Sequence, residues 1–200
     1  MGEILLSESK FTQHEQSQWE YDFEMPNNLF ITGESGIGKS GALAAAAEEL
    51  FPRRISGIMS PRNVIGGVDQ GWSIEGFNGV SGVVASRDIL SDRQLGSYGV
   101  DMELFDRCVA AESESHVRSD VVLIDEIGII GGWSARFVEY VERAIESTIP
   151  LVAIVRQKSG ELSDRVKQRD DSVLWTVTQK NRDDIPAEIA RWVESFDTTT

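Results

Sequence analysis

Gly33 to Ser40 reads GESGIGKS and matches the pattern G-x-x-x-x-G-K-[ST] at every fixed position. Each fixed residue type has a task at that spacing. The glycines let backbone N–H groups close around a row of phosphates, Lys39 sets a point charge against the β and γ oxygens, and the Ser40 hydroxyl can ligate Mg²⁺. A chance match in a chain of this length has a probability on the order of 1%. Gly33, Glu34, Ser35, Gly36, Ile37, Gly38, Lys39, Ser40 and Gly41 are therefore read as a cradle for nucleotide phosphates.

The second group is Val121 to Glu126, VVLIDE. Four apolar residues ending in two acids describe a buried strand that delivers carboxylates at its carboxyl end, where parallel sheets bind ligands. Asp125 is expected to hold Mg²⁺ beside Ser40, directly or through water. Glu126 is expected to polarise an attacking water. Arg62, Arg156 and Lys158 follow other expected strands and are candidates for a cation that meets the γ-phosphate. Arg165, Lys167 and Arg169 are weaker candidates on an expected mobile helix, since charge runs are usually solvated faces.

These groups need elements to position them. Asn28 to Thr32 is an apolar run suited to a buried strand, and GALAAAAEEL from Gly41 is a strong helix former, which supplies the strand, loop and helix context. Further core strands are expected at 54–60, 149–155 and 173–178, with helices at 101–114, 133–147 and 186–196. The acids of Asn181-Arg182-Asp183-Asp184 are expected to cap the last helix. The glycine-punctuated stretch 64–85 predicts one or two β-hairpins with a turn at Asn78-Gly79. Residues 86–99 lack periodicity and are expected to form a mobile loop over the site. Cys108 falls on the inward stripe of its helix and reads as core, not nucleophile. In 1–27, Trp19, Tyr21, Phe23 and Met25 alternate with acids, which predicts an added edge strand ahead of a single domain spanning 28–200.

Composition narrows the partners. A net charge of −14, from 33 acidic and 19 basic residues, argues against a nucleic-acid groove. A nucleotide is compatible with it, because a local nest of N–H groups and a Mg²⁺ ion outweigh the global field. One cysteine and two isolated histidines argue against a disulfide framework and a zinc site. No apolar run approaches the ~20 residues of a membrane span. The expectation is a cytoplasmic protein without a membrane partner.

Taken together, these residues resemble a family of small nucleoside-triphosphatases, the cancer-related and thermophilic NTPases. GESGIGKS is similar to the family's phosphate loop (Walker A), and SGIMSPRNVIGG at Ser56 with GWSIEGF at Gly71 to its second strand and hairpin. VVLIDEIG at Val121 resembles its DEIG box (Walker B), and TQKNRDDIP at Thr178 its Asn-Arg-Asp segment. The resemblance covers roughly residues 28 to 195. It implies an α/β, three-layer P-loop NTPase sandwich, RecA-like or kinase-like, with a mainly parallel sheet and a β-hairpin insert. It also implies Mg²⁺-dependent hydrolysis of ATP, GTP and other nucleoside triphosphates with low base selectivity. Two departures stand out: Gly41 replaces a second Ser or Thr, and Ile129-Ile130-Gly131 stands where the family carries a Lys-Met-Glu run.

From the residues alone, two other readings stay open. A small-molecule or nucleoside kinase would use the acid beside the metal ligand to activate an acceptor hydroxyl. A nucleotide-gated binding module with a protein partner would use slow hydrolysis as a reset. Asn181, Arg182 and Trp72 are the base-side candidates, and nothing in the sequence ranks the bases.

Overall fold

The computed structural model describes residues 26–158 and 160–198. The expected edge strand around Trp19 to Met25 lies outside the described residues.

The alternation in Asn28 to Gly33 sets the layers. In β1 (Asn28–Gly33), Leu29 and Ile31 point to one face and Phe30 to the other, all buried. A strand buried on both faces must sit inside the sheet, and β1 does, between β10 (Val173–Val177) and β9 (Leu151–Val155). With β8 (Val121–Ile127) and β2 (Ile55–Met59) these form a parallel half in the order β10-β1-β9-β8-β2.

Residues 62–100 continue the same sheet. β3 (Arg62–Ile65), β4 (Val68–Gly76), β5 (Ser81–Ser86), β6 (Gln94–Leu95) and β7 (Tyr98–Val100) add antiparallel strands beyond β2. The hairpins fall where the glycines place them. The expected insert is nevertheless half of a ten-stranded mixed sheet, because β4 finds an open edge on β2. Residues 86–99 also hold more order than expected, with β6 and β7 folding back on β5.

Helices cover both faces. On one, α1 (Lys39–Glu49) and α6 (Ile185–Glu194) pack together over Leu29, Ile31, Leu123 and Ile154. On the other, α2 (Met102–Ser115) and α4 (Ala135–Glu146) bury Phe105, Cys108, Phe137 and Tyr140 over Phe30, Ile58 and Ile124. In α4 Phe137, Tyr140, Val141, Ala144 and Ile145 stand at i, i+3, i+4, i+7 and i+8, the stripe of a helix with one buried face, and in α2 Leu104, Phe105, Cys108 and Val109 follow the same stripe as far as Glu112. Their starts are set by side-chain caps: Leu104 N donates to Asp101 Oδ1 at 2.8 Å, and Phe137 N to Ser134 Oγ at 3.0 Å. The Ser134 cap moves the start of α4 two residues past the expected Trp133, and a separate short helix, α3 (Ile129–Gly132), precedes it. Asp184 stands at the N-cap of α6 but its side chain makes no capping bond, so Pro186 in the first turn starts that helix instead.

Cys108 is fully buried, and burial, with Glu112 beside it, pushes its thiol up to about 12. It is a core residue, as its position on the stripe predicts. Glu112, which the apolar pattern passes over, is buried too. Its carboxylate accepts from Gly57 N, Asn78 N and Asn78 Nδ2, each at 2.8 Å, tying α2 to β2 and to the β4–β5 turn.

Candidate functional site

The loop between β1 and α1 is exposed except at Ile37, whose side chain sits in the core beneath α1 and α6. Gly36 and Gly38 hold φ of +78° and +110°, which side chains other than glycine rarely adopt, and Gly38 is the residue from which α1 starts. The first four N–H groups of a helix have no partner inside it. Here no side chain caps them, and with the positive end of the helix dipole behind them they suit an anion. Lys39 is folded onto this loop: its Nζ donates to Gly33 O at 2.9 Å and to Glu34 O at 2.8 Å.

β8 brings the carboxylates to the same place. Ser40 Oγ donates to Asp125 Oδ1 at 3.0 Å, joining residues 85 apart in the chain. Asp125 is 4% exposed, and its Oδ2 is buried with no hydrogen-bond partner. Burial pushes this carboxyl up to about 6. The Ser40 hydroxyl pulls it back, Glu126 next door adds to the rise, and the Ser60 backbone and Lys39 lower it. A buried, partnerless carboxylate oxygen beside a serine hydroxyl fits a hard divalent cation that takes most of its other oxygens from phosphate and water. Asp125 and Glu126 sit where the β8–β9 register shifts, between Ile124 and Ile127, so the two acids leave the regular ladder.

Glu126 is the exposed residue of β8. Its carboxylate lies against Gly128, where a Cβ would stand 2.6 Å from Glu126 Oε1. Desolvation by the surrounding protein raises its pKa, and Lys39 and Arg156 pull it back. Beyond it opens a cleft of about 200 Å³ lined by Gly128, Ile129, Trp133, Arg156, Leu162 and Ser163 among others. Arg93, from the segment between β5 and β7, lies over the Trp133 ring at 5.7 Å, at the edge of this cleft.

Other candidates fall elsewhere. Arg62 is on β3, paired with Asp69 at 3.1 Å and lying 5.1 Å over the Trp72 ring, so it belongs to the antiparallel half. Trp72 stacks edge-on with Tyr98 on that half, not beside the phosphate loop. Lys158 is exposed, three residues past β9. Arg165 bonds Glu142 at 2.8 Å, and Arg169 pairs with Asp171 beyond the end of α5 (Glu161–Lys167). The 178–184 segment does lie beside the phosphate loop, because Gly33 is in register with Val177. Asn181 is spent on that turn: its Oδ1 accepts from Thr178 N at 2.7 Å, and its Nδ2 donates to Thr176 O at 3.0 Å.

Known proteins resemble this chain over most of its described length. A family model described as NTPase matches residues 28–190. The nucleoside-triphosphatase THEP1 of Methanosarcina barkeri is 34% identical over 167 residues, 81% of this chain and 94% of that protein. Its counterpart in Methanopyrus kandleri is 30% identical, over 84% of this chain and 96% of that one. Among solved structures, the crystal structure of THEP1 from the hyperthermophile Aquifex aeolicus superposes with a TM-score of 0.75 at 26% identity, covering 84% of this chain and 99% of that one. The solution structure of a human cancer-related nucleoside triphosphatase, at 22% identity, shares the fold with a TM-score of 0.69 over 84% and 97% of the two chains.

Proposed function

This chain belongs to the NTPase family, a family of nucleoside-triphosphatases, and from that premise we propose that it hydrolyses ATP, GTP and related nucleoside triphosphates to the diphosphate and phosphate in a Mg²⁺-dependent reaction. The observation that carries the reading is the Ser40–Asp125 contact at 3.0 Å, which leaves Asp125 Oδ2 buried and partnerless at the mouth of the phosphate loop.

The amides of residues 33–41 and the Lys39 ammonium bind the triphosphate, Lys39 exchanging its two loop carbonyls for phosphate oxygens. Ser40 and Asp125 would hold Mg²⁺, which when bound offsets charge on the β and γ oxygens. Glu126 orients a water molecule and accepts its proton as the water oxygen bonds to the γ-phosphorus and the bond to the β-phosphate oxygen breaks. Lys39 offsets the negative charge that moves onto the leaving diphosphate. No helix among the described residues is long and apolar enough to cross a membrane. With the acidic composition and the single reduced, buried cysteine, this supports a cytoplasmic setting.

A second reading has one observation behind it. A nucleophilic water occupies about 30 Å³, and the cleft beyond Glu126 measures about 200 Å³, room for a small acceptor whose hydroxyl would take the place of water. Phosphate release from ATP and GTP with Mg²⁺ and no acceptor separates the two. Release that falls ~100-fold in Glu126→Gln, with nucleotide binding retained, supports the triphosphatase. Tight binding without release would move the assignment to a transferase.

A further inference from the structure

β9 enters the sheet between β1 and β8. Its carboxyl end therefore opens between the phosphate loop that follows β1 and the two acids that end β8, which is where ligands of parallel sheets bind. The residue that follows β9 directly is Arg156. We infer that Arg156 is a catalytic residue supplied in cis: its guanidinium reaches from the β9 side to the γ-phosphate of a nucleotide held by the phosphate loop and stabilises the charge on the phosphoryl group in transfer. The inference rests on the hydrolytic reading above.

Its placement carries the argument. Arg156 is half-buried and lines the cleft together with Gly128, the residue against which the Glu126 carboxylate lies. Arg156 and Lys39 are the two cations whose charge acts on Glu126, so both stand within electrostatic reach of the group that faces the attacking water. Several other cations have different work: Arg62 is held by Asp69, Arg165 by Glu142 and Arg182 by Asp183, Lys167 Nζ donates to Gln157 O at 3.3 Å, Arg93 lies over the Trp133 ring, and Lys158 is exposed.

The residue type fits the task. A guanidinium cannot lose its proton at working pH and presents a planar fork that matches two phosphoryl oxygens at once. A γ-phosphate held by the loop would give this half-buried guanidinium an anionic partner. The consequence is an enzyme that carries its own arginine and needs no partner to supply one.

The test is steady-state phosphate release from Mg·ATP by wild type, Arg156→Ala and Arg156→Lys, each also made in a Glu126→Gln background, with nucleotide affinity measured separately. Loss of one preorganised donor to the transferring group predicts a fall in kcat of ~100- to 1,000-fold for Arg156→Ala, with KM within about 3-fold. Arg156→Lys should fall between, and guanidinium ion added at concentrations well below denaturing should restore part of the Ala variant's rate and none of the wild type's. The Ala substitution should slow release again in the Glu126→Gln background, because its contact is with phosphate. A kcat within about 3-fold of wild type would overturn the inference. So would an effect that vanishes when Glu126 is already Gln, since Arg156 would then only position that carboxylate. If the Ala variant does not fold, as judged by thermal unfolding, the Lys variant and its cycle with Glu126→Gln decide the same question. Failure of wild type to release phosphate is visible before any variant is compared, and it removes the hydrolytic reading itself.

Discussion

Asp125→Asn should make the metal-free protein more stable while removing its activity. The carboxyl is 4% exposed and burial lifts it from an ordinary 3.8 to about 6. A raised carboxyl means that the folded state holds the proton more tightly than the unfolded chain, so ionisation is a cost to folding. The cost is absent below about pH 4, where both states are protonated, grows between pH 4 and 6, and is complete above about 6. Its size is about 2 pH units at 1.36 kcal/mol each, or about 3 kcal/mol at pH 8. An amide at the same position can keep the Ser40 hydroxyl bond and carries no charge. Urea unfolding with EDTA and no nucleotide is the assay. At pH 8 the variant should be about 3 kcal/mol more stable, a midpoint shift of about 1 M, and the gain should shrink to near zero by about pH 4. An unchanged midpoint at pH 8 would refute the reasoning, and so would a gain of equal size at both pH values, which could not come from buried charge. Saturating Mg·ATP should close the gap by stabilising only the wild type, by about 2.7 kcal/mol at 100 times the dissociation constant.

Three further outcomes follow. Lys39→Ala should abolish measurable hydrolysis and weaken Mg·ATP binding at least ~100-fold, read by titration calorimetry, because the ammonium is the point charge of the loop; full retained turnover would remove the phosphate-loop assignment. The rate of hydrolysis at low substrate should fall on the acid side of about pH 6 as the Asp125–Glu126 pair takes up a proton, since both carboxylates act ionised, and the apparent value belongs to the pair; a flat profile down to pH 4.5 would contradict that pairing. Glu112→Ala should cost about 2 kcal/mol, lowering the midpoint of thermal unfolding by ~6 °C, because it leaves the buried Gly57 N–H without its acceptor and cuts both bonds from the exposed Asn78; a loss under about 0.5 kcal/mol would show that the carboxylate is not what joins α2 to the sheet.

The parallel half of the fold was legible because burial on two faces writes itself as uninterrupted apolar runs. Leu29-Phe30-Ile31 and Val121 to Ile124 can be placed on strands by type alone. The antiparallel half was legible only as turns. Gly66, Gly67 and Asn78-Gly79 mark where the chain reverses, but nothing local in 62–100 says which strand those hairpins will join. That is decided by β2, whose second edge would otherwise stay unpaired. The start of α4 was misplaced because the Ser134 cap competed with periodicity, whereas α6 starts within one residue of its expected position without the expected cap from Asp184.

The site divides the same way. GESGIGKS and VVLIDE could be found in one dimension because each motif carries its own chemistry, and the structure brings them to 3.0 Å at Ser40 and Asp125. The choice among Arg62, Arg156 and Lys158 could not be made there, since all three follow apparent strand ends. Strand order makes it: β9 is inserted between the loop strand and the acid strand, while β3 lies beyond β2 and β4 on the antiparallel side. A cation three residues farther along the chain from β9 points to solvent, and one on β3 is pinned to its own hairpin. Proximity in such a sheet is a property of topology, which non-local pairing sets. A residue with no motif of its own can therefore stand at the centre of the chemistry.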